Sequence, residues 1–238
     1  MDKDFLLEQD IGYFQVDREH RIRLGARFQL LQEAAIQHYR ILAHNREEEG
    51  KSWFLNRLAM RFMRYPKFEE TVRIETWISC FSGFKAFREF CIHSNGQTIG
   101  QASTVWLYVD LDKKKIAKVP EEIVDPIPTR PNDCFYEGLD RLKLPQVAEG
   151  ASQTSVSLRY SDFDHHQHVN SAAYLDFLQT GLCRQNQNTH PRELKINFAK
   201  EIPRTTESIE VRLEGAGDGM VFSVEASDEV SAYGQVSG

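Results

Sequence analysis

The sequence predicts an α+β protein built from two similar halves, each with one long helix and an antiparallel sheet. Three observations support this prediction: short segments recur in the same order, apolar residues recur at helical spacing in each half, and alternating strand patterns follow each helix. The chain has 238 residues, which is enough for two domains of about 100 residues each.

The repeat is the first sign of this duplication. In the clearest match, an apolar residue precedes a proline and a basic residue follows it. An alternating strand pattern begins a few residues later. The matching pairs are residues 28–32 with 174–179, 64–74 with 201–211, and 99–103 with 233–237. Three matches in the same order favour duplication over coincidence.

The first half is predicted to start with a helix and to continue as strands. Apolar side chains recur at helical spacing over residues 24–43, which indicates an amphipathic helix. Apolar and polar residues alternate over residues 72–78, as in a half-buried strand. The Asn95-Gly96 pair is a strong hairpin signal. It joins two strands that should pair antiparallel, over residues 84–93 and 98–110.

The second half repeats this order of elements. Between Val169 and Leu182 apolar residues cover most of the helix circumference, which indicates a helix enclosed by a sheet. Gly215, Gly217 and Gly219 mark a hairpin, and the last strand is expected to be short. The other strands are predicted over residues 193–198, 208–213 and 221–226.

The two halves are joined by a proline-containing stretch with poor periodicity, which predicts an extended connection over the surface. We therefore expect an N-terminal domain over residues 1–117, a linker over 118–152 and a C-terminal domain over 153–238. The C-terminal domain is expected to carry the active site.

Composition excludes several classes of function. The net charge of −6 gives no general reason to bind nucleic acid, and no apolar stretch approaches the ~20 residues of a membrane span. The acidic start, Met1 to Phe5, lacks a secretory signal, so we expect a cytoplasmic protein. The four cysteines form no Cys-x-x-Cys pair, and we expect neither a metal nor a cofactor.

The most unusual segment is residues 160–171, immediately before the second helix. It concentrates aspartates and histidines where a helix begins. Free backbone N–H groups and the positive end of the helix dipole lie there. A loop of this kind can keep a carboxylate ionised and stabilise negative charge that develops on a substrate oxygen.

This segment resembles a known family. It reads Asp164-x-His166-x-His168-Val169-Asn170, followed by Ala173-Tyr174. The pattern is similar to the Asp-x-Asn-x-His-Val-Asn-Asn-x-x-Tyr signature of plant and bacterial acyl-acyl carrier protein thioesterases. Further similarities cover nearly the whole chain, at Trp77, Phe87-Arg88, Gly96 and Trp106.

The resemblance implies a double hotdog fold, in which an antiparallel sheet wraps each long helix and the two sheets pair. It also implies hydrolysis of fatty acyl-acyl carrier protein, which releases free fatty acid and ends chain elongation. The carrier protein would be the partner that delivers the substrate, and a homodimer is expected by the same resemblance.

By this resemblance Asp164 and His168 would be catalytic, with His166 orienting the reacting groups. The family's Tyr-Arg-Arg-Glu-Cys stretch corresponds here to residues 198–202, so Glu201 would complete the set. Two departures stand out. Asparagine is replaced by His166, which titrates near neutral pH, and cysteine is replaced by Ile202, which excludes a cysteine nucleophile at that position.

The residues themselves suggest a mechanism at the helix entrance. The thioester oxyanion would face N–H groups near Val169 and Asn170. Either Asp164 or Glu201 would attack the carbonyl or activate water, and His168 would position the carboxylate or transfer the proton. The sequence leaves these two roles of the carboxylates open.

The first half is predicted to lack this machinery. Aligning Phe28 with Tyr174 places Arg18 opposite Asp164 and Ile22 opposite His168. The first half would instead form much of the acyl pocket. The candidate lining residues, each of which could equally be an ordinary core side chain, are Trp53, Phe54, Met60, Phe62 and Met63.

Other interpretations of these residues stay open. The loop could bind a metal through Asp162, Asp164, His165, His166 and His168. Asp162 and His165 are more typical of solvated loop residues, and Asn170 of a helix cap. The basic residues Arg57, Arg61, Arg64 and Lys67 could receive an acidic carrier protein or could simply be solvated.

The alternative functions are hydrolysis of acyl-coenzyme A, hydration or dehydration of acyl thioesters, and binding of acyl groups without catalysis. Coenzyme A binding need not leave a nucleotide-binding motif. The presence of Asp164, His168 and Glu201 argues against a non-catalytic module, whereas His166 slightly favours it.

Overall fold

The computed structural model describes residues 4–42, 50–131 and 133–238. The helices are α1 (Leu24–Leu42), α2 (Glu121–Val124) and α3 (Ser171–Arg184). The strands are β1 (Asp4–Asp10), β2 (Lys51–Phe62), β3 (Thr71–Ser82), β4 (Lys85–Ser94), β5 (Gln97–Asp110), β6 (Lys115–Ile116), β7 (Ser152–Ser157), β8 (Glu193–Phe198), β9 (Ser208–Ala216), β10 (Gly219–Ala226) and β11 (Glu229–Ser237).

These strands form one continuous antiparallel sheet. Its order is β1-β3-β4-β5-β2-β8-β11-β10-β9-β7, and β6 pairs with β5. The two halves of the chain meet where β2 pairs with β8, with Arg57 opposite Asn197 and Arg61 opposite Glu193. The two predicted antiparallel sheets are therefore joined edge to edge.

The long helices α1 and α3 pack against each other inside this sheet. Their apolar faces are buried in the main core together with side chains from both halves. At the start of α1, Arg23 Nη1 lies 2.8 Å from Asp176 Oδ1 of α3, and Leu24 N–H donates to Gln179 Oε1 at 3.0 Å. A Cβ atom on Gly25 would lie 2.5 Å from the Asp176 carboxylate, so this close approach requires glycine.

The segment between the halves covers the outer face of the first half's sheet. Trp77 Nε1–H donates to Asp133 O at 3.0 Å, and the Arg130 guanidinium lies 3.9 Å from the centre of the Trp77 ring. Further along, Lys85 pairs with Asp140 at 2.9 Å. The predicted extended connection therefore contributes buried contacts, and it includes the short helix α2.

The predicted helices and strands are confirmed, with differences at their ends. The first helix is described to Leu42, and residue 43 of the prediction lies outside the described residues. The last strand was expected to be short, but β11 spans Glu229–Ser237. Its length is set by pairing with both β8 and β10, which the sequence pattern does not reveal. The hairpin turns at Gly217, and Gly215 and Gly219 lie within strands.

Strands β1, β2, β6 and β7 were not predicted. β1 lies at one edge of the sheet, and its side chains alternate between half-buried and exposed, which weakens the apolar pattern. Among the described helices, none is both long enough and apolar enough to span a membrane.

Candidate active site

The loop before α3 holds the Asp164 carboxylate in a fixed position. Asp164 Oδ1 accepts hydrogen bonds from the N–H groups of His166 at 2.9 Å and His168 at 3.2 Å. The Asp164 N–H donates to His168 O at 2.9 Å, which closes the loop. Gln167 allows this turn by adopting a left-handed conformation with φ of 65°. One carboxylate oxygen is therefore bound to the backbone, and the other is left for chemistry.

Asp162 stabilises the base of the loop. Its carboxylate accepts hydrogen bonds from the Arg159 N–H at 2.7 Å and from the Arg159 guanidinium at 2.7 Å, and its side chain is 2% exposed. The interpretation of Asp162 as a solvated loop residue was therefore wrong, because this local ion pair buries the carboxylate. His165 is exposed, as expected for a solvated loop residue.

His168 and Glu201 form the second part of the candidate site. His168 Nε2 lies 3.2 Å from Glu201 Oε2, although Glu201 is 33 positions further along the chain. The two side chains are 36% and 55% exposed, so solvent reaches the pair. His168 Nδ1 is buried and has no hydrogen-bond partner among the described residues. An imidazole beside a carboxylate can accept and return a proton.

His166 is exposed and lies beside the same loop. Its ring centre is 3.8 Å from that of His165 and 6.4 Å from that of Phe54. Partial burial lowers the pKa of His166, and the nearby His165 lowers it further, while Asp164 opposes the shift. Neutral imidazole is therefore favoured at pH 7, and it can donate and accept hydrogen bonds as an asparagine does.

Asn170 caps α3. Its Oδ1 accepts a hydrogen bond from Ala172 N–H at 2.9 Å, and its own N–H donates to Asp162 O at 2.8 Å. The helix-cap interpretation is thus confirmed, but the N–H predicted to face an oxyanion is already bound within the loop. For Val169 N–H, no acceptor is found among the described residues.

Two residues of β2, from the first half of the chain, also border the site. The Phe54 ring centre lies 6.1 Å from that of His168. Asn56 is displaced from the β2–β5 ladder by a register shift between Leu55 and Arg57, and its Nδ2 donates to Phe198 O at 3.2 Å. Asn56 was not predicted, since a bulge that reorients a side chain leaves no periodic signal in the sequence.

The segment that carries Glu201 is anchored on several sides. Ala199 and Lys200 N–H groups donate to Ser231 O at 2.9 and 3.1 Å. Tyr174 of α3 packs edge-on against Phe198 with ring centres 5.4 Å apart. Burial raises the pKa of the Tyr174 hydroxyl, so it stays protonated at neutral pH. Ile202 is fully buried beside this segment.

Apart from Phe54, which lies beside His168, the residues proposed to line an acyl pocket separate into three groups. Met60 and Phe62 belong to the main core, at 1% and 3% exposure. Met63 is 44% exposed and lies outside this core. Trp53 packs against Tyr108 with ring centres 5.0 Å apart, and its Nε1 is buried without a hydrogen-bond partner among the described residues.

The basic residues considered for carrier docking bind within the protein. Arg57 donates to Leu139 O at 3.1 Å, Arg61 lies 3.4 Å from Glu193, and Arg64 donates to Glu70 Oε2 at 3.0 Å. The carboxylates of Glu193 and Glu70 offset the charges of Arg61 and Arg64, whereas Arg57 binds a neutral carbonyl. Lys67 is exposed.

The described residues contain no group of three or more histidine, cysteine or acidic side chains arranged to hold a metal ion. The four cysteines are free thiols at Cys80, Cys91, Cys134 and Cys183. None of these cysteines is among the side chains gathered around Asp164, His168 and Glu201, so the nucleophile candidates there are carboxylates or water.

The first half contains a loop with the same backbone structure, centred on Asp17. Asp17 Oδ1 accepts from Glu19 N–H at 2.8 Å and Arg21 N–H at 3.3 Å, and Asp17 N–H donates to Arg21 O at 2.9 Å. Asp17 is therefore the counterpart of Asp164, 147 positions earlier.

The predicted pairing of Arg18 with Asp164 and of Ile22 with His168 was thus wrong by one residue. The isolated bridge Val16–Ile22 in the first half corresponds to Phe163–Val169 in the second. The missed signal is the tyrosine four residues before each aspartate, Tyr13 and Tyr160.

Comparison with known proteins agrees with this architecture. A solved 12:0-ACP thioesterase from Umbellularia californica matches with a TM-score of 0.86 and 16% identity, covering 100% of this chain and 97% of that chain. An acyl-ACP thioesterase from Bacteroides thetaiotaomicron matches with a TM-score of 0.83 and 22% identity, covering 98% and 97%. The fold is therefore an α+β fold of the hotdog type.

The family is shown by the sequence. The Acyl-ACP thioesterase N-terminal domain model matches residues 2–127, and the C-terminal domain model matches residues 146–234. The chain belongs to the acyl-ACP thioesterase family.

Curated relatives include Oleoyl-acyl carrier protein thioesterase 2 of Arabidopsis thaliana, 26% identical over 60% of this chain and 41% of the relative. A palmitoyl-acyl carrier protein thioesterase of Cuphea hookeriana is 27% identical over 62% of this chain and 39% of the relative. Both are described as chloroplastic. The chain spans less than half of the length of the curated relatives that it matches.

Proposed function

We propose that this protein hydrolyses the thioester bond of fatty acyl-acyl carrier protein, releasing free fatty acid and ending chain elongation. The observation that carries the proposal is the meeting of the His168–Glu201 pair with the backbone-held Asp164 carboxylate at the start of α3. Family membership supports it, as do relatives named as hydrolases of acyl carrier protein substrates.

In the proposed mechanism, the thioester carbonyl lies at the entrance of α3. Asp164 is held through Oδ1, so its Oδ2 is the oxygen that attacks the carbonyl carbon or accepts a proton from an attacking water. An oxygen–carbon bond forms and the carbon–sulfur bond breaks. In the water route, the proton taken up by Asp164 passes through the His168–Glu201 pair to the leaving thiolate. In the covalent route, the imidazolium form of His168 gives its proton to the thiolate, and a water then hydrolyses the acyl–aspartate anhydride, which releases the fatty acid and returns a proton to His168.

The developing oxyanion needs hydrogen-bond donors that the loop does not already use. Val169 N–H meets this condition, whereas Asn170 N–H is bound to Asp162. The positive end of the α3 dipole adds to the stabilisation. Thioester hydrolysis at this site therefore uses Val169 as the backbone donor and Asn170 as the helix cap.

The first test is release of free fatty acid from a panel of acyl-acyl carrier proteins and the matching acyl-coenzyme A esters. We expect the carrier-bound chains to be hydrolysed preferentially, and we expect His168→Gln and Glu201→Gln each to lower kcat by about 100-fold or more, as the loss of a general acid–base group does.

Lys200→Gln is the matched control, because it removes a neighbouring charged side chain that pairs with Glu229 away from His168. Its kcat should stay within about twofold of the parent protein. Lack of hydrolysis in both panels would rule out the proposed function. Equal rates on the two panels would favour the coenzyme A alternative. The location in the cytoplasm and the homodimer remain predictions from the sequence.

A further inference from the structure

We propose that Asn56 is a positioning residue for Glu201, acting through the backbone of the segment that carries it. The inference rests on the proposed function and extends it to a residue in the first half of the chain. Asn56 makes no direct bond to Glu201. Its Nδ2 donates to Phe198 O at 3.2 Å, three residues before the glutamate.

The geometry of β2 points to this role. Residues 51–55 and 57–62 pair with β5 in a regular antiparallel ladder, and the register shifts across Asn56. The extra residue leaves the ladder and turns its side chain towards the end of β8. Bulges of this kind occur next to active sites, where they re-aim a side chain.

Glu201 depends on such support because its own side chain is weakly held. It is 55% exposed, and the contact described for it is the one to His168. It follows the end of β8 at Phe198, in a stretch without helix or strand. The position of the carboxylate is therefore set by the backbone that precedes it.

The anchors of this backbone come from three directions. Ser231 O of β11 binds Ala199 and Lys200 N–H groups, and the Tyr174 ring of α3 packs against Phe198. Asn56 adds the contact from β2, on the other side of the β2–β8 junction. A displacement of about 1 Å in a catalytic group can lower a rate by about 100-fold.

The test is a double-mutant cycle of Asn56→Leu with Glu201→Gln. Leucine is similar in size to asparagine but cannot donate to Phe198 O. We expect Asn56→Leu to lower kcat about tenfold with KM changed less than twofold. In the Glu201→Gln background it should cause no further loss, because residues that act through one another are not additive.

Asn188→Ala is the matched control. Asn188 also donates its side-chain amide to a backbone carbonyl, Gly238 O at 3.1 Å, but near the opposite end of β8. The Asn188→Ala substitution should leave kcat unchanged, and its effect should be additive with that of Glu201→Gln. Equal losses from Asn56→Leu in both backgrounds would overturn the proposal, since they would indicate a merely structural role.

A crystal structure of Asn56→Leu separates this inference from the proposed function. We expect the distance from His168 Nε2 to Glu201 Oε2 to increase beyond about 4 Å, the usual limit of an ion pair. A distance that stays at 3.2 Å would overturn the positioning role whether or not the parent protein hydrolyses any substrate.

Discussion

The loops around Asp17 and Asp164 share one backbone but differ in what surrounds the carboxylate. In both, Oδ1 accepts two N–H groups, and the residue three positions after the aspartate is left-handed, with φ of 58° at His20 and 65° at Gln167. The carboxylate cradle is therefore a structural property of the duplicated fold and does not by itself make an active site.

The difference lies in the partners of each aspartate. Asp17 Oδ2 lies 2.7 Å from His190 Nε2, a side chain from the other half that is 5% exposed. Asp164 instead lies beside His168, where Arg21 occupies the corresponding position, and His168 reaches Glu201. The Asp17 carboxylate is closed into a contact between the halves, whereas the loop that holds Asp164 carries His168, which pairs with solvent-exposed Glu201. Both aspartates are half-buried, so the partners of each loop distinguish the two.

The largest expected effect comes from removing each carboxylate in turn. Asp164→Asn keeps the oxygen that accepts the two N–H groups, so the loop should stay folded while kcat/KM falls by about 1,000-fold. Asp17→Asn should leave kcat/KM within about twofold. Steady-state kinetics gives kcat/KM for both variants. A comparable loss of kcat/KM in Asp17→Asn would show that the first loop also serves catalysis.

The free energy of unfolding should rank the Asp17 and Asp164 variants in the opposite order. Asp17→Asn replaces the carboxylate oxygen beside buried His190, so we expect it to lower the free energy of unfolding by about 1–3 kcal/mol. Asp164→Asn should change it by less than about 0.5 kcal/mol. Urea denaturation followed by fluorescence measures both. A similar loss in both variants would mean that the two loops have the same structural role.

The residue aligned with Glu201 in the sequence repeat is Arg64, which binds Glu70. Burial raises the pKa of Glu70, but hydrogen bonds from Arg64 and Ser94 outweigh it and lower the pKa to about 2. Because this pKa lies below its unfolded value, the stabilisation is present above about pH 4.5 and is lost as the pH falls towards 2.

Glu70→Gln should therefore lower the unfolding free energy by about 1–2 kcal/mol at pH 7 and by much less near pH 2. Thermal denaturation across this range measures the difference from the parent protein. Glu69→Gln is the control, because Glu69 is exposed. A difference that does not depend on pH would exclude the ionised Arg64–Glu70 contact as its source.

The smallest expected effect concerns His166. His166→Asn restores the residue of the family signature, and neutral histidine already offers a donor and an acceptor. We expect kcat/KM within about threefold at pH 7. Because the pKa of His166 is lowered from its ordinary value of 6.5, the side chain stays neutral at pH values somewhat below 6.5. The kcat/KM values of the two proteins should therefore diverge only under more acidic conditions. Identical pH–rate profiles of the parent protein and His166→Asn would show that the His166 side chain has no role in the reaction.

Local patterns predicted both long helices and most of the strands, and long-range contacts account for much of what was missed. The Asn95-Gly96 turn and the enclosed helix α3 follow from sequence neighbours alone, and the structure confirms both. The bulge at Asn56 depends on how β2 meets β5 and β8. The alignment of the halves failed by one residue because it used helix residues, whereas Asp17 is placed by hydrogen bonds within its loop.

The β2–β8 junction has a consequence for how the site is assembled. Phe54 and Asn56 reach the site from one half of the sheet, and His168 and Glu201 from the other. In a site shared between separate subunits, dilution would separate these groups. Here the covalent chain keeps their effective concentration constant, so the site stays complete however dilute the protein becomes.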